Sequence, residues 1–162
     1  MKYSFYAHEL GHYYFGSLLS PNSTLRWFFL ESTAEYLSVK ATAEAYGRDS
    51  TTSYIKYAGT LLKDRKIIPL FKIVKAEEID ERYRYSYGAL LLLAFEQRFG
   101  EQKTYRFLQT AIKRAGERTD YAFLKSTAIS AGISETEWKS FEDNVIGLED
   151  GRVLVNKLLG NK

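Results

Sequence analysis

The chain of 162 residues contains no cysteine. Disulfide frameworks, thiolate zinc sites and a cysteine nucleophile are therefore excluded. The absence leaves the compartment open, because oxidising and reducing environments both permit it. Proline is scarce, at two residues, so long helices meet few interruptions. Charge of one sign is also lacking: 23 Lys and Arg against 20 Asp and Glu give a net charge of +3, with no basic cluster. That balance does not describe a surface that tracks phosphates, and no nucleic-acid partner is expected. The longest strongly apolar run, Gly88 to Phe95, falls far short of the roughly 20 residues that span a bilayer. No membrane span is expected. His8, Glu9 and His12 interrupt the stretch where a signal peptide would need an apolar core, so no signal is visible.

What is present is apolar and aromatic content sufficient for a core, 45% and 15%, arranged with helical periodicity. Phe5, His8, His12, Phe15 and Leu19 recur at spacings of three and four, which predicts a helix over Tyr3 to Leu19. Further helices are predicted over Leu25–Tyr46, from Ser50 through Leu62, and over Tyr83–Phe99, Glu101–Ala115 and Asp120–Ala131. A last one opens at the capping box Ser134–Glu137 and runs to Ile146. Gly47, Gly100, Gly116, Gly132 and Gly147 each stand just past a helical pattern. Pro69 makes Lys66–Glu78 a loop with one helical turn, and 148–162 reads as a C-terminal tail with a short strand at 152–155. The expected architecture is an all-α multi-helix bundle formed by residues 1–147.

His8-Glu9-Leu10-Gly11-His12 is an H-E-x-x-H motif on the first helix. Residues four apart lie one above the other, so both imidazoles reach one metal ion. Glu9 points about 100° further round, where it can touch a metal-bound water without being a ligand. Both histidines of the chain fall inside this motif; the plainer reading makes them core residues of an apolar stripe. A catalytic zinc needs a third protein ligand and an open position. With no third histidine, that ligand must be a carboxylate, and the next helix offers Glu31 and Glu35, one turn apart. Either can be the ligand with the other behind it.

The spacing H-E-x-x-H, eighteen residues, then Glu31 within Trp27-Phe28-Phe29-Leu30-Glu31-Ser32-Thr33-Ala34-Glu35-Tyr36 resembles the gluzincin zinc metallopeptidases, in particular the aminopeptidase-N-like (peptidase MA-like) branch. That branch reads approximately W-L-x-E-G-x-A-E-Y here, and Ser32 stands where its glycine usually does. The resemblance implies that His8, His12 and Glu31 bind Zn²⁺, that Glu9 is the general base, and that Glu35 is an outer acid holding a ligand histidine. The branch also carries Y-x-K-G-A at the start of a long helix; Tyr85-Ser86-Tyr87-Gly88-Ala89 matches it except that Tyr87 replaces the lysine. Tyr85 then corresponds to the tyrosine that stabilises the oxyanion, although Tyr83 and Tyr87 lie close by in sequence.

The implied function is zinc-dependent hydrolysis of a peptide or protein substrate, on a fold resembling the C-terminal helical half of a gluzincin catalytic domain. Two features depart from the family. Only seven residues precede His8, where the family has a sheet whose edge aligns the peptide, and the glycine-rich exopeptidase motif is missing. The departures predict weak hydrolysis by this chain. They also predict an apolar outer face on the zinc helix (Tyr3, Phe5, Tyr6, Tyr13, Tyr14), bare or packed against a further domain or a second copy of the chain. The alternatives are a non-catalytic zinc-binding module and an interaction protein without metal.

Overall fold

The computed structural model describes residues 2–160. Eight α-helices occur among the described residues, and no strand: α1 (Lys2–Tyr14), α2 (Thr33–Tyr46), α3 (Asp49–Leu61), α4 (Gly88–Phe99), α5 (Glu101–Lys113), α6 (Tyr121–Ser130), α7 (Glu135–Phe141) and α8 (Gly151–Leu159). The all-α expectation holds. No helix of the described residues is long and apolar enough to cross a membrane.

Helix α4 is the axis. Every residue from Gly88 to Phe95 is buried, because α2, α5 and α8 pack around it. An apolar run too short for a bilayer is thus a central core helix. At its C-terminal end Phe95 meets Phe107 and Phe141, with ring centroids 5.1 and 5.7 Å apart, which ties α5 and α7 to the axis. Gly100 reverses the chain between α4 and α5 with φ of 87°, a conformation that a side chain disfavours. The Ser134 capping box forms as its sequence requires.

Three differences from the sequence reading have physical causes. Helix α1 ends at Tyr14 rather than Leu19. Gly16 (φ 155°) lets the chain turn so that Ser17, Leu18 and Leu19 N–H groups bond back to His12, Tyr13 and Tyr14 carbonyls at 3.0, 3.1 and 2.9 Å. Phe15 and Leu19 still reach the core, which is why their spacing mimicked helix. The expected strand at 152–155 is helix α8. The Asp150 carboxylate accepts from Arg152 N–H at 2.9 Å and caps it, and Leu154 and Val155 are buried as α8 packs on α3 and α4. Tertiary burial here overrides the β-preference of Val153 and Val155. Much of the segment read as a tail is therefore packed into the bundle; residues 161 and 162 of it lie outside the described residues. The Lys66–Glu78 loop holds two short 3₁₀ turns, Leu70–Lys72 and Ala76–Glu78.

The third difference bears on function. The chain enters α2 and α4 through π-helical turns, Phe28–Ser32 and Tyr83–Tyr87, instead of continuous α-helix. The turns pack against each other, and Gly88 makes that possible: a Cβ there would fall onto Ser32 Oγ and lie 2.6 Å from Ser32 Cβ. π-turns are rare and concentrate at functional sites. Of the three π-turns among the described residues, these two carry Glu31 and Tyr85; the third, Glu142–Ile146, follows α7 away from them. Gly88→Ala should therefore destabilise the protein by ~1–3 kcal/mol through overpacking. Combining it with Ser32→Gly should cost less than the two single changes added together. Urea unfolding of the four proteins checks this; strict additivity would show that the two turns do not meet here.

Candidate metal centre

The centre is built by α1 lying across the start of α2. Gly11 permits the approach: a Cβ on it would sit 3.0 Å from Ala34 Cα. The buried stripe of α1 then faces α2, and His8 and His12 lie above Glu31. Glu31 Oε2 is 3.4 Å from His8 Nε2 and 3.5 Å from His12 Nε2, and the three ligand atoms all lie within 4.8 Å of one another.

The far sides of both imidazoles are occupied. His8 Nδ1 lies 2.9 Å from Glu35 Oε2, and His12 Nδ1 lies 3.2 Å from the Phe15 carbonyl oxygen. A carboxylate and a carbonyl only accept, so each Nδ1 donates. In the neutral ring this leaves the Nε2 lone pair turned toward Glu31. Tetrahedral coordination with bonds of ~2.0–2.2 Å has ligand–ligand edges of roughly 3.3–3.6 Å. The two N···O separations fall in that range, so this donor set could hold a divalent metal ion.

Without a metal, the same contacts set the acid–base state of the cluster. Burial opposes charge on His8, but the hydrogen bonds it donates to Glu31 and Glu35, and their negative charges, outweigh it and raise its pKa to about 9 in the metal-free cluster. The hydrogen bond from His8 holds Glu31 below the usual carboxylate range against its burial, with a further contribution from the Tyr85 phenol. Burial and the Glu31 carboxylate push Tyr85 up to about 12, so its hydroxyl keeps its proton at neutral pH.

The structure separates the three tyrosines. Tyr83 and Tyr87 are core residues whose hydroxyls donate to the Ile68 and Leu148 carbonyls at 3.1 and 3.2 Å. Tyr85 alone opens onto the centre, with its ring centroid 5.7 Å from that of His8. Glu9 is exposed and makes no hydrogen bond or ion pair among the described residues. It lines a cleft of about 410 Å³ with Phe5, His8, Glu35 and Tyr85. That cleft adjoins a cavity of about 760 Å³ reaching Thr42, Tyr57 and Arg82. A further residue at the site, Tyr54 on α3, carries no signal in the sequence. Its hydroxyl donates to the Tyr85 carbonyl at 2.8 Å, and burial together with the nearby Glu35 carboxylate pushes the phenol well above its ordinary pKa. Tyr54 thus braces the Tyr85 turn from α3, beside Glu35. No local motif marks it, since its role comes from helix packing.

No family model, curated protein or solved structure matches this chain. The centre has to be read from its own geometry.

The raised His8 pKa has a consequence for metal-free protein. Protonated His8 is favoured in the folded state, so its contribution is complete below its unfolded pKa of ~6.5 and is lost as pH rises through about 9. Chelator-treated protein should lose stability across that window, and Glu35→Gln should flatten the loss. Thermal melts from pH 6 to 10 check it; a flat wild-type profile would contradict the cluster's electrostatics.

Proposed function

We propose that the chain binds one Zn²⁺ through His8, His12 and Glu31 and hydrolyses peptide bonds at that centre. The observation that carries this is the triangle of two Nε2 atoms and one Oε2, with both Nδ1 atoms anchored, beside an unpaired glutamate in an open cleft. The H-E-x-x-H motif and its resemblance to gluzincins support the same reading.

A zinc ion held there would supply Lewis acidity toward water and the scissile carbonyl. The residues of the chain do the rest. Glu9 accepts a proton from the attacking water as its oxygen bonds to the carbonyl carbon, then returns that proton to the leaving amine as the C–N bond breaks. Tyr85 keeps its proton and donates a hydrogen bond to the oxyanion. Glu35 holds the His8 ring through Nδ1, and the Phe15 carbonyl holds His12. The neighbouring cavity receives the substrate's flanking residues.

A second reading, a zinc-binding module without catalysis, is favoured by one observation. No strand exists among the described residues, so no sheet edge lies beside the cleft to align an extended peptide. The variants distinguish the readings. Elemental analysis of protein purified without chelator should give one zinc per chain. Glu31→Gln should abolish retention, and Glu35→Gln should weaken affinity by ~10–100-fold. Glu9→Gln should keep the metal and abolish cleavage of a fluorogenic peptide library by zinc-loaded protein. Retained zinc with no cleavage by the wild type would favour the binding module. Failure to take up zinc at neutral pH would overturn both.

A further inference from the structure

The outer half of α1 is the largest unexplained surface. Tyr3, Phe5, Tyr6, Leu10, Tyr13 and Tyr14 are 43–67% exposed. At about 100° per residue Tyr3, Tyr6, Leu10, Tyr13 and Tyr14 fall within roughly 100° of the helix circumference, and Phe5 stands beyond Glu9 on the flank toward the metal cleft. Contiguous exposed apolar surface on this scale marks an interaction site. We propose that this face is a homodimer interface in which α1 packs against α1 of a second copy.

Three observations select a second copy as the occupant. The first is shape. The face carries its own groove, about 290 Å³, floored by Ala7, Gly11 and Ala41 and walled by Leu37 and Tyr14, beside the protruding Tyr13. An isologous interface requires a ridge and a matching hollow on the same patch, since the same surface serves both partners.

The second is charge. On the exposed side of α1 between Tyr3 and Tyr14 the only charged side chain is Glu9, at the edge of the face beside the metal cleft. In a chain that is 27% charged, a face this neutral meets its own copy without like-charge repulsion, while it offers nothing to an acidic or basic partner. The third is area. Six half-exposed side chains, mostly aromatic, offer roughly 600–700 Å² before the groove floor is counted. That approaches the ~800 Å² per partner of a stable interface. The aromatic-rich, charge-poor composition is also that of an interface core. The rim of the interface, Phe5 and Glu9, coincides with the lip of the metal cleft, so a dimer would narrow access to that cleft from one side.

The proposal is independent of zinc, and its test uses the full chain in chelator. Sedimentation equilibrium between ~1 and 100 µM should give a dimer mass for the wild type. Tyr6→Glu and Leu10→Glu, both at exposed positions, should weaken association at least tenfold while the far-UV circular dichroism stays unchanged. The natural absence of cysteine supplies a second readout that needs no charge on the face. Leu10→Cys should form a disulfide-linked dimer under mild oxidation far faster than Lys113→Cys on α5. A wild type that is monomeric throughout overturns the proposal. So does a dimer that survives both glutamate substitutions, or equal cross-linking of the two cysteine variants.

Discussion

The contact of Gly11 with Ala34 is the constraint on which the rest depends. Helices α1 and α2 approach so closely that a single methyl at Gly11 would press on the Ala34 backbone. Only at that separation can His8 reach Glu35 with one ring nitrogen and Glu31 with the other. A wider spacing would leave a mostly buried imidazole without its two carboxylates, and such a group is costly to bury alone. The close helix pair and the polar cluster therefore require each other. The glycine allows the approach, and the cluster gives the approach a unique register.

The second element of the design is the pair of π-turns that lead into α2 and α4. Each inserts one more residue per turn than an α-helix would, and each does so where a candidate site residue stands. One presents Glu31 to the two histidines and the other brings Tyr85 out of the core while Tyr83 and Tyr87 stay in it. Gly88 lets the turns interlock at Ser32. Tyr54, reaching from α3, holds the second turn through its carbonyl, beside Glu35. The centre is thus supported from α1, both turns and α3. Rigid support of this kind is what a metal or catalytic constellation needs.

Much of this was legible in the sequence because the relevant signals are local. The four-residue spacing of His8 and His12, the capping box at Ser134 and the glycine stop at Gly100 each depend on a few neighbouring residues. What escaped depends on partners distant in the chain. The Val153–Val155 segment reads as strand until α3 and α4 are placed beneath it. Leu19 follows the helical stripe although Gly16 has already turned the chain. The π-turns leave no periodic mark distinct from an α-helix over so few residues. The roles of Glu31 and Glu35, open in the sequence, separate only when α1 is docked: one carboxylate meets both Nε2 atoms, and the other meets the Nδ1 atom of His8.

The account's central claim is that these side chains form one metal centre with two imidazoles and one carboxylate. X-ray absorption at the zinc edge on stoichiometrically loaded protein tests it most directly. The account predicts a four-coordinate, sulfur-free zinc with two imidazole scattering shells and light-atom oxygen at ~2.0–2.2 Å. The imidazole signal should fall by half in His12→Ala. A six-coordinate all-oxygen spectrum, or one unchanged by that substitution, would contradict it.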